Sequence, residues 1–294
     1  MPNEQILVDG FYCAYRSAYA FGDFRTKDGR PSGLLFGFIR TLTSIMKKWP
    51  SAEIVICWDS PSGWRRNVYP EYKGNRTSSK EVKDRNQIYA AAAFCKAVGI
   101  KQAMSAGNEA DDVIGSLVDR SRLNIVFSRD RDFCQLVEDG VLFVYSPKSG
   151  NTEEIIYDEA EVLKKFGVPA KKLLMFRVLR GDSSDNLPGL RRFPSKKIAD
   201  LVMAHQAITD IFDERDPSIG LTDHQKKTLE EFRNQALINE RLMRVQTDIE
   251  VRLIPGTFQR ERALSILDDY ELKSLKSSVA TFEEKEEEDL GFFA

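Results

Sequence analysis

Short apolar runs near the start of the chain are separated by longer stretches whose apolar residues recur every three to four positions, an alternation that predicts parallel strands joined by helices. Residues 5–9, 54–59 and 123–128 are rich in Ile, Val and Leu and read as buried strands, with 141–145 a weaker fourth. Leu35, Phe38, Ile39, Leu42, Ile45 and Met46 put a 3.6-residue stripe on a helix over residues 34–48, and 88–98 and 110–119 repeat the pattern. From about residue 158 the strand signal stops. Residues 159–166, 170–180, 196–204 and 222–239 read as helices, with breaks at Pro169, Pro188 and Gly189. The expected fold is α/β. A central, mostly parallel sheet flanked by helices occupies residues 1–165, a helical region 166–280 and an acidic tail 281–294.

Composition narrows the chemistry. The 294 residues are 42% apolar, enough for roughly two domains of ~100–200 residues each. The longest apolar run, residues 88–95, falls far short of the ~18 needed to cross a bilayer, and the start, with Glu4 and Asp9, does not read as a secretory leader. A soluble, cytoplasmic protein without membrane contact is expected. Cys13, Cys57, Cys95 and Cys134 never pair as CxxC and read as buried thiols. His205 and His224 are the only histidines, and no HExxH, phosphate-loop, GxGxxG or GxSxG string occurs. Catalysis must rest on carboxylates, lysines or metal ions.

The 43 basic and 45 acidic side chains nearly cancel, so their distribution carries the information. Residues 65–85 hold seven bases against three acids, and residues 171–197 eight against two. Residues 283–289 reverse this with six acids and one lysine.

In an open parallel sheet the ligand crevice lies beyond the carboxyl ends of the strands. Asp9, Asp59 and Asp130 each end or follow a strand. One strand-end aspartate is usually a turn former, but three delivered to one edge are not explained that way. Glu109, Asp111 and Asp112 open a helix, where the macrodipole accounts for one or two acids rather than three. Asp132 follows Asp130 by two, and Asp182 and Asp185 form an i, i+3 pair in GDSSDNLPG. At ~5 Å and an effective dielectric of 20 each like-charged pair costs about 3 kcal/mol, so nine acids in one cleft require cations. Oxygen ligands without nearby His or Cys suit Mg²⁺ or Mn²⁺. An acidic site between basic stretches suits a polyanionic substrate whose phosphate is held through two metal ions.

The same residues carry a resemblance to the 5′-nuclease family of flap endonucleases and 5′ to 3′ exonucleases, over roughly residues 5–205. Its motifs are LVDG at Asp9, CWDSP followed by WRR and YPEYKGNR from Asp59, EADDVIG from Glu109, SRDRDFCQLV at Asp130 and Asp132, and GDSSDNLPGL at Asp182 and Asp185. The resemblance implies a PIN-like 5′-nuclease fold and two-metal hydrolysis of nicked or branched duplex DNA with a 5′ end, 5′ flaps and RNA primers on RNA–DNA hybrids included, in replication or repair. It implies that Asp9, Asp59, Glu109, Asp111 and Asp112 surround a first metal ion, and Asp130, Asp132, Asp182 and Asp185 a second. Residues 64–90 correspond to a helical arch over the 5′ single strand. Within it Lys73 and Arg76 are candidates for the scissile phosphate, Tyr72 for stacking on a base, and Lys80 and Lys83 for further DNA contact. No polymerase-like region follows, which suggests a stand-alone phage-type or bacterial enzyme acting as a monomer.

Residues 189–201 resemble the family's helix-hairpin-helix element. Related sequences commonly have Gly-x-Gly here, and this chain has Arg192, Phe193 and Pro194. Proline removes a backbone donor, which argues against an amide nest and against bound K⁺. Arg191, Arg192, Lys196 and Lys197 are expected to grip the duplex backbone electrostatically instead. Asp289, Leu290, Gly291, Phe292 and Phe293 are similar to short peptides that dock on bacterial-type sliding clamps. Two alternatives stand beside the nuclease reading: a PIN-type ribonuclease, usually shorter and without the EADD, GDSSDN and arch-like segments together, and a DNA-junction binding protein without chemistry, from which acids would be missing.

Overall fold

The computed structural model describes residues 3–60, 63–75, 85–145, 154–213 and 220–283. Among them seven strands form one sheet: β1 (Glu4–Asp9), β2 (Glu53–Trp58), β3 (Lys101–Met104), β4 (Leu123–Ser128), β5 (Val141–Tyr145), β6 (Ile155–Tyr157) and β7 (Arg252–Ile254), in the order β6-β5-β4-β1-β2-β3-β7. β1 to β5 run parallel, and β6 and β7 close the two edges antiparallel. The described helices, in chain order, are α1 (Gly10–Ala20), α2 (Gly33–Lys48), α3 (Trp64–Val68), α4 (Arg85–Ala97), α5 (Ala110–Leu117), α6 (Glu159–Phe166), α7 (Ala170–Arg180), α8 (Ser195–Ala204), α9 (Asp210–Asp213), α10 (Asp223–Met243) and α11 (Arg260–Asp269).

The central strands are apolar on both faces because both are covered. Ile6, Val8, Ile54, Ile56, Ile125 and Phe127 point to the side packed by α1, α2, α4 and α11, while Leu7, Val55, Cys57, Val126 and Phe143 point to the side packed by α5, α7, α8 and α10. A one-residue slip would exchange the two sets, each buried side chain being worth about 1.5–3 kcal/mol, so the register is tightly specified. The chain moves outward from β1 to β2 and β3, returns to β4 beside β1, and moves outward again to β5. The crevice of this topology lies where the direction reverses, between the carboxyl ends of β1 and β4.

Three departures from the sequence expectation concern the edges. β3, β6 and β7 are only three or four residues long; β3 buries only Gln102 and Ala103, and Ile155, Ile156 and Leu253 of β6 and β7 are exposed, so their sequences carry little strand signal. The strands therefore do not end where the strand signal does, since β7 pairs with β3. The chain also does not stay in a separate helical region: β7 rejoins the sheet, and Leu267, Val279 and Phe282 complete the core under α2 and α4, with the Phe282 ring edge-on to Phe94. All four cysteines are buried free thiols, as expected. No helix of the described residues is long and apolar enough to cross a membrane.

Candidate active site

Each acid reaches the sheet edge for a local reason. Asp9 is the last residue of β1 and caps α1, its Oδ1 accepting from the Tyr12 amide at 2.8 Å. Its Oδ2 accepts from Ser128 Oγ at 2.8 Å, a bond that joins the ends of β1 and β4 across the crevice. Asp59 follows β2 and accepts from the Ala110 amide at 2.6 Å, fixing the first turn of α5. Glu109 caps α5 in a reciprocal arrangement with Asp112. Asp130 caps the tight turn that follows β4, accepting from the Asp132 amide at 2.9 Å.

Asp182 and Asp185 are presented by a loop closed by two glycines. Gly181 adopts φ +73°, and a Cβ on it would meet the Gly189 backbone at 2.4 Å, while one on Gly189 would meet the Arg180 carbonyl oxygen at 2.1 Å. Both ends of GDSSDNLPG must be glycine for its two strands to touch.

The acids form one connected electrostatic field. Burial, then Asp59, push the Asp9 carboxyl up to about 7, with Asp130 adding to the rise. Burial, then Asp130, Asp9 and Glu109, hold Asp111 well above the usual carboxylate range. Asp130 is raised by burial and by Asp185 and Asp182. Asp132 rises to about 7 through burial and Asp130. Asp111 and Asp130 thus link the two groups that the sequence separated.

Three cations of the chain answer part of this charge. Arg65 on α3 lies against Asp112 with Nη1–Oδ2 at 2.6 Å and Nη2–Oδ1 at 2.7 Å. Lys73 Nζ donates to Glu109 at 2.8 Å. Burial pushes Glu109 up, but Lys73 and Arg65 outweigh it and hold the carboxyl below its ordinary range. Arg177 on α7 spans Asp132 at 2.6 Å and Asp182 at 2.5 Å. Against burial, Ser184 and Arg177 keep Asp182 low. Among the described residues no three acids, histidines or cysteines converge as a ready-made metal group. The expectation that nine acids converge in one pocket is corrected to this extent: Asp112 is enclosed by Arg65; Glu109, Asp132 and Asp182 turn toward lysine or arginine; and Asp9, Asp111 and Asp130 answer burial and repulsion from other acids by raised proton affinity.

The basic candidates are sorted by the structure. Lys73 stands at the edge, in a left-handed conformation (φ +56°), its amide bonded to the Asp185 carbonyl at 3.0 Å. Such strain in a non-glycine residue persists where surroundings impose it, commonly at functional sites. Tyr72, expected to stack on a base, is instead buried beneath the acids, its hydroxyl 3.2 Å from both Glu109 and Asp185. Arg191, Arg192 and Lys196 are exposed on the turn between α7 and α8 and at the start of α8. Lys197, at the start of α8, donates from Nζ to the Gly220 carbonyl at 2.9 Å. Arg76, Lys80, Lys83 and residues 289–293 lie outside the described residues. His205 is buried and bonded to the Leu201 carbonyl, with no place at the edge.

Arg65, Arg177 and Ser128 were not singled out from sequence. WRR and SRDRD contain two of them, but only the fold shows that they face the acids.

The family model for the 5'-3' exonuclease N-terminal resolvase-like domain matches residues 4–167, and that for the 5'-3' exonuclease C-terminal SAM fold matches residues 168–264. A 5'-3' exonuclease of Buchnera aphidicola subsp. Acyrthosiphon pisum is 30% identical over 262 residues, 85% of this chain and 88% of that protein. The DNA polymerase I of Pseudomonas aeruginosa is 29% identical over 284 residues, 92% of this chain but 30% of the polymerase. Among solved structures, T5 5'-exonuclease with bound zinc superposes with a TM-score of 0.65 at 19% identity, covering 94% of this chain and 99% of that one. Flap endonuclease-1 from Methanococcus jannaschii gives 0.63 at 12% identity, covering 96% and 92%. At these identities the two structures are like this chain in fold.

Proposed function

Because the chain belongs to the 5′-3′ exonuclease family, whose members are metal-dependent nucleases, we propose that it hydrolyses phosphodiester bonds near 5′ ends of nicked or branched duplex DNA, and of RNA primers annealed to DNA. The observation that carries this reading is the meeting of Asp9, Asp111 and Asp130 at the switch point of the sheet, where Asp130 raises the proton affinity of both Asp9 and Asp111, and Asp9 that of Asp111. Buried anions that repel one another are stable when protonated or when they share a cation.

The donor set fits a hard divalent ion, since every acid at the edge offers oxygen and His205 is buried away from it against the Leu201 carbonyl. Mg²⁺ is the proposed ion and Mn²⁺ a substitute. Asp9, Asp59, Glu109 and Asp111 would hold one ion, directly or through water, and Asp130, Asp132, Asp182 and Asp185 a second. Two such ions supply Lewis acidity that activates water and neutralises charge on the scissile phosphate.

The chain's own groups supply the rest. Lys73 Nζ, held beside Glu109, is placed to stabilise the extra negative charge that develops on the phosphate. Tyr72, whose single hydroxyl proton is shared between Glu109 and Asp185 at 3.2 Å each, would help to orient both. Arg191, Arg192 and Lys196, all exposed, would offer a basic surface to the duplex backbone, and Pro194, which removes a backbone donor from the turn, speaks against bound K⁺. Residues 289–293 are proposed to dock on a sliding clamp, and the chain to act as a monomer.

The test is cleavage of a labelled 5′-flap duplex with Mg²⁺ and then with EDTA. Release of short 5′ products that stops on chelation is expected. Cleavage unchanged by EDTA, or absent from every duplex with a 5′ end, overturns the proposal.

A further inference from the structure

Asp112 stands apart from the eight other acids. Its side chain is 0% exposed and that of Arg65 is 3% exposed. Oδ1 accepts from Arg65 Nη2 at 2.7 Å and from the Gln246 amide at 3.1 Å, and Oδ2 from Arg65 Nη1 at 2.6 Å and the Glu109 amide at 3.4 Å. A carboxylate offers about four lone-pair positions, and all are used. We propose that Asp112 and Arg65 are a positioning pair rather than holders of metal, and that the pair sets Glu109 and Lys73 against the sheet edge. The inference rests on the metal-dependent nuclease reading.

Three segments meet at this pair. Arg65 Nε donates to the Leu242 carbonyl at 3.1 Å, at the last turn of α10, and the guanidinium stacks over the Trp64 ring at 4.4 Å. The chain after α10 then crosses α5, where Gln246 reaches Asp112 and the Ile249 amide donates to Ser116 Oγ at 3.2 Å. The crossing is close: a Cβ on Gly115 would meet Val245 Cγ1 at 2.5 Å and the Gln246 carbonyl at 2.6 Å, which explains the glycine of EADDVIG. The third segment is residues 64–75, rooted at Arg65 and ending in Tyr72 and Lys73 on Glu109.

Glu109 is therefore held from two sides. Its amide rests on Asp112, and its carboxylate is held by Lys73 and Tyr72, with Arg65 Nη1 at 3.8 Å. A change at Asp112 reaches the reaction by moving Glu109 and Lys73, without removing a ligand.

The test compares Asp112→Asn, Arg65→Lys and the control Asp111→Asn. It measures Mn²⁺ uptake by calorimetry, unfolding temperature in EDTA, and single-turnover cleavage of a 5′-flap duplex with KM obtained separately. Asp112→Asn is expected to slow cleavage about tenfold or more with little change in KM, and to keep Mn²⁺ affinity within about threefold, whereas Asp111→Asn loses at least about tenfold. Its unfolding temperature should fall. Arg65→Lys should move the same way by less, because lysine keeps the charge but loses the planar fork. Loss of Mn²⁺ affinity in Asp112→Asn equal to that in Asp111→Asn overturns the inference, as does wild-type cleavage in both pair variants. If Asp112→Asn does not fold, Arg65→Lys decides: slower cleavage with Mn²⁺ affinity kept supports the pair, and lost affinity overturns it. Failure of the wild-type chain to take up Mn²⁺ would instead remove the metal reading itself.

Discussion

At the first group of acids a guanidinium lies flat against one carboxylate, whereas at the second a guanidinium spans two. Arg65 and Asp112 are sealed in the core at 3% and 0% side-chain exposure, while Arg177, Asp132 and Asp182 keep 19%, 16% and 17%. The supports differ in the same sense. Glu109, Asp111 and Asp112 start a helix braced by the Asp59 carboxylate, but Asp182 and Asp185 sit on a loop with Asn186 at φ +60°, followed by Arg192 at φ +59°. One positive side chain serves the scaffold, and the other neutralises groups that still face water. Like neighbours on one sheet edge can thus divide between holding the site together and doing its chemistry.

The largest effect expected from this contrast is in stability. Arg65→Ala would leave Asp112 buried without its partner, a loss of about 3–5 kcal/mol. Arg177→Ala frees two carboxylates that reach solvent, and with screening the loss should be about 1–2 kcal/mol. Urea unfolding of both variants in EDTA measures the difference. Equal losses, or a larger one for Arg177→Ala, would break the distinction between a sealed pair and an open one.

A smaller effect is expected from pH. Asp9 and Asp132 are pushed up to about 7, chiefly by burial and then by Asp59 and Asp130 respectively, and Asp111 and Asp130 are also raised. A carboxyl whose folded-state affinity for protons exceeds its unfolded one stabilises the fold while protonated, and that stabilisation is lost as pH rises from the usual carboxylate range toward 7. In EDTA the unfolding temperature should therefore fall between pH 5 and pH 8. Added Mg²⁺ should restore it most at pH 8, where the acids bind as anions. Glu109 and Asp182, held low, contribute in the opposite sense, and only at more acid pH. A stability profile in EDTA that is flat or rises over this window would contradict the shared field of the acids.

How much of this was legible in the sequence follows from the range of each signal. The central strands and the stripe on α2 were readable because burial on a sheet or helix repeats within a few residues. Asp9, Asp59 and Asp130 were readable because a parallel sheet sends every strand end to one edge. β7 and α11 were not, since a three-residue edge strand and a helix that fully buries only Ala263 and Leu267 leave little periodic trace. The role of Asp112 was equally hidden. In EADDVIG it looks like its neighbours, and only the arrival of Arg65 from 47 positions upstream and of Gln246 from 134 downstream separates it from them. Tyr72 is hidden for the converse reason: an aromatic beside a lysine suggests base stacking, but its ring is buried in the core cluster that holds Val55 and Val113.

The smallest effect tests the loop side of the comparison. Arg192 takes a left-handed conformation that costs a non-glycine residue about 1–2 kcal/mol. Arg192→Gly relieves that cost, while glycine gives back about 0.4–1 kcal/mol through the greater freedom of the unfolded chain. A net gain of about 0.5 kcal/mol is expected from thermal unfolding. Asn186→Gly should gain less, because asparagine tolerates the same conformation. If the exposed Arg192 guanidinium meets a phosphate, the stabilised variant should bind duplex more weakly, and the salt dependence of binding should fall by about one counterion. A more stable protein with undiminished duplex affinity would mean that the strained arginine serves neither the turn nor the DNA.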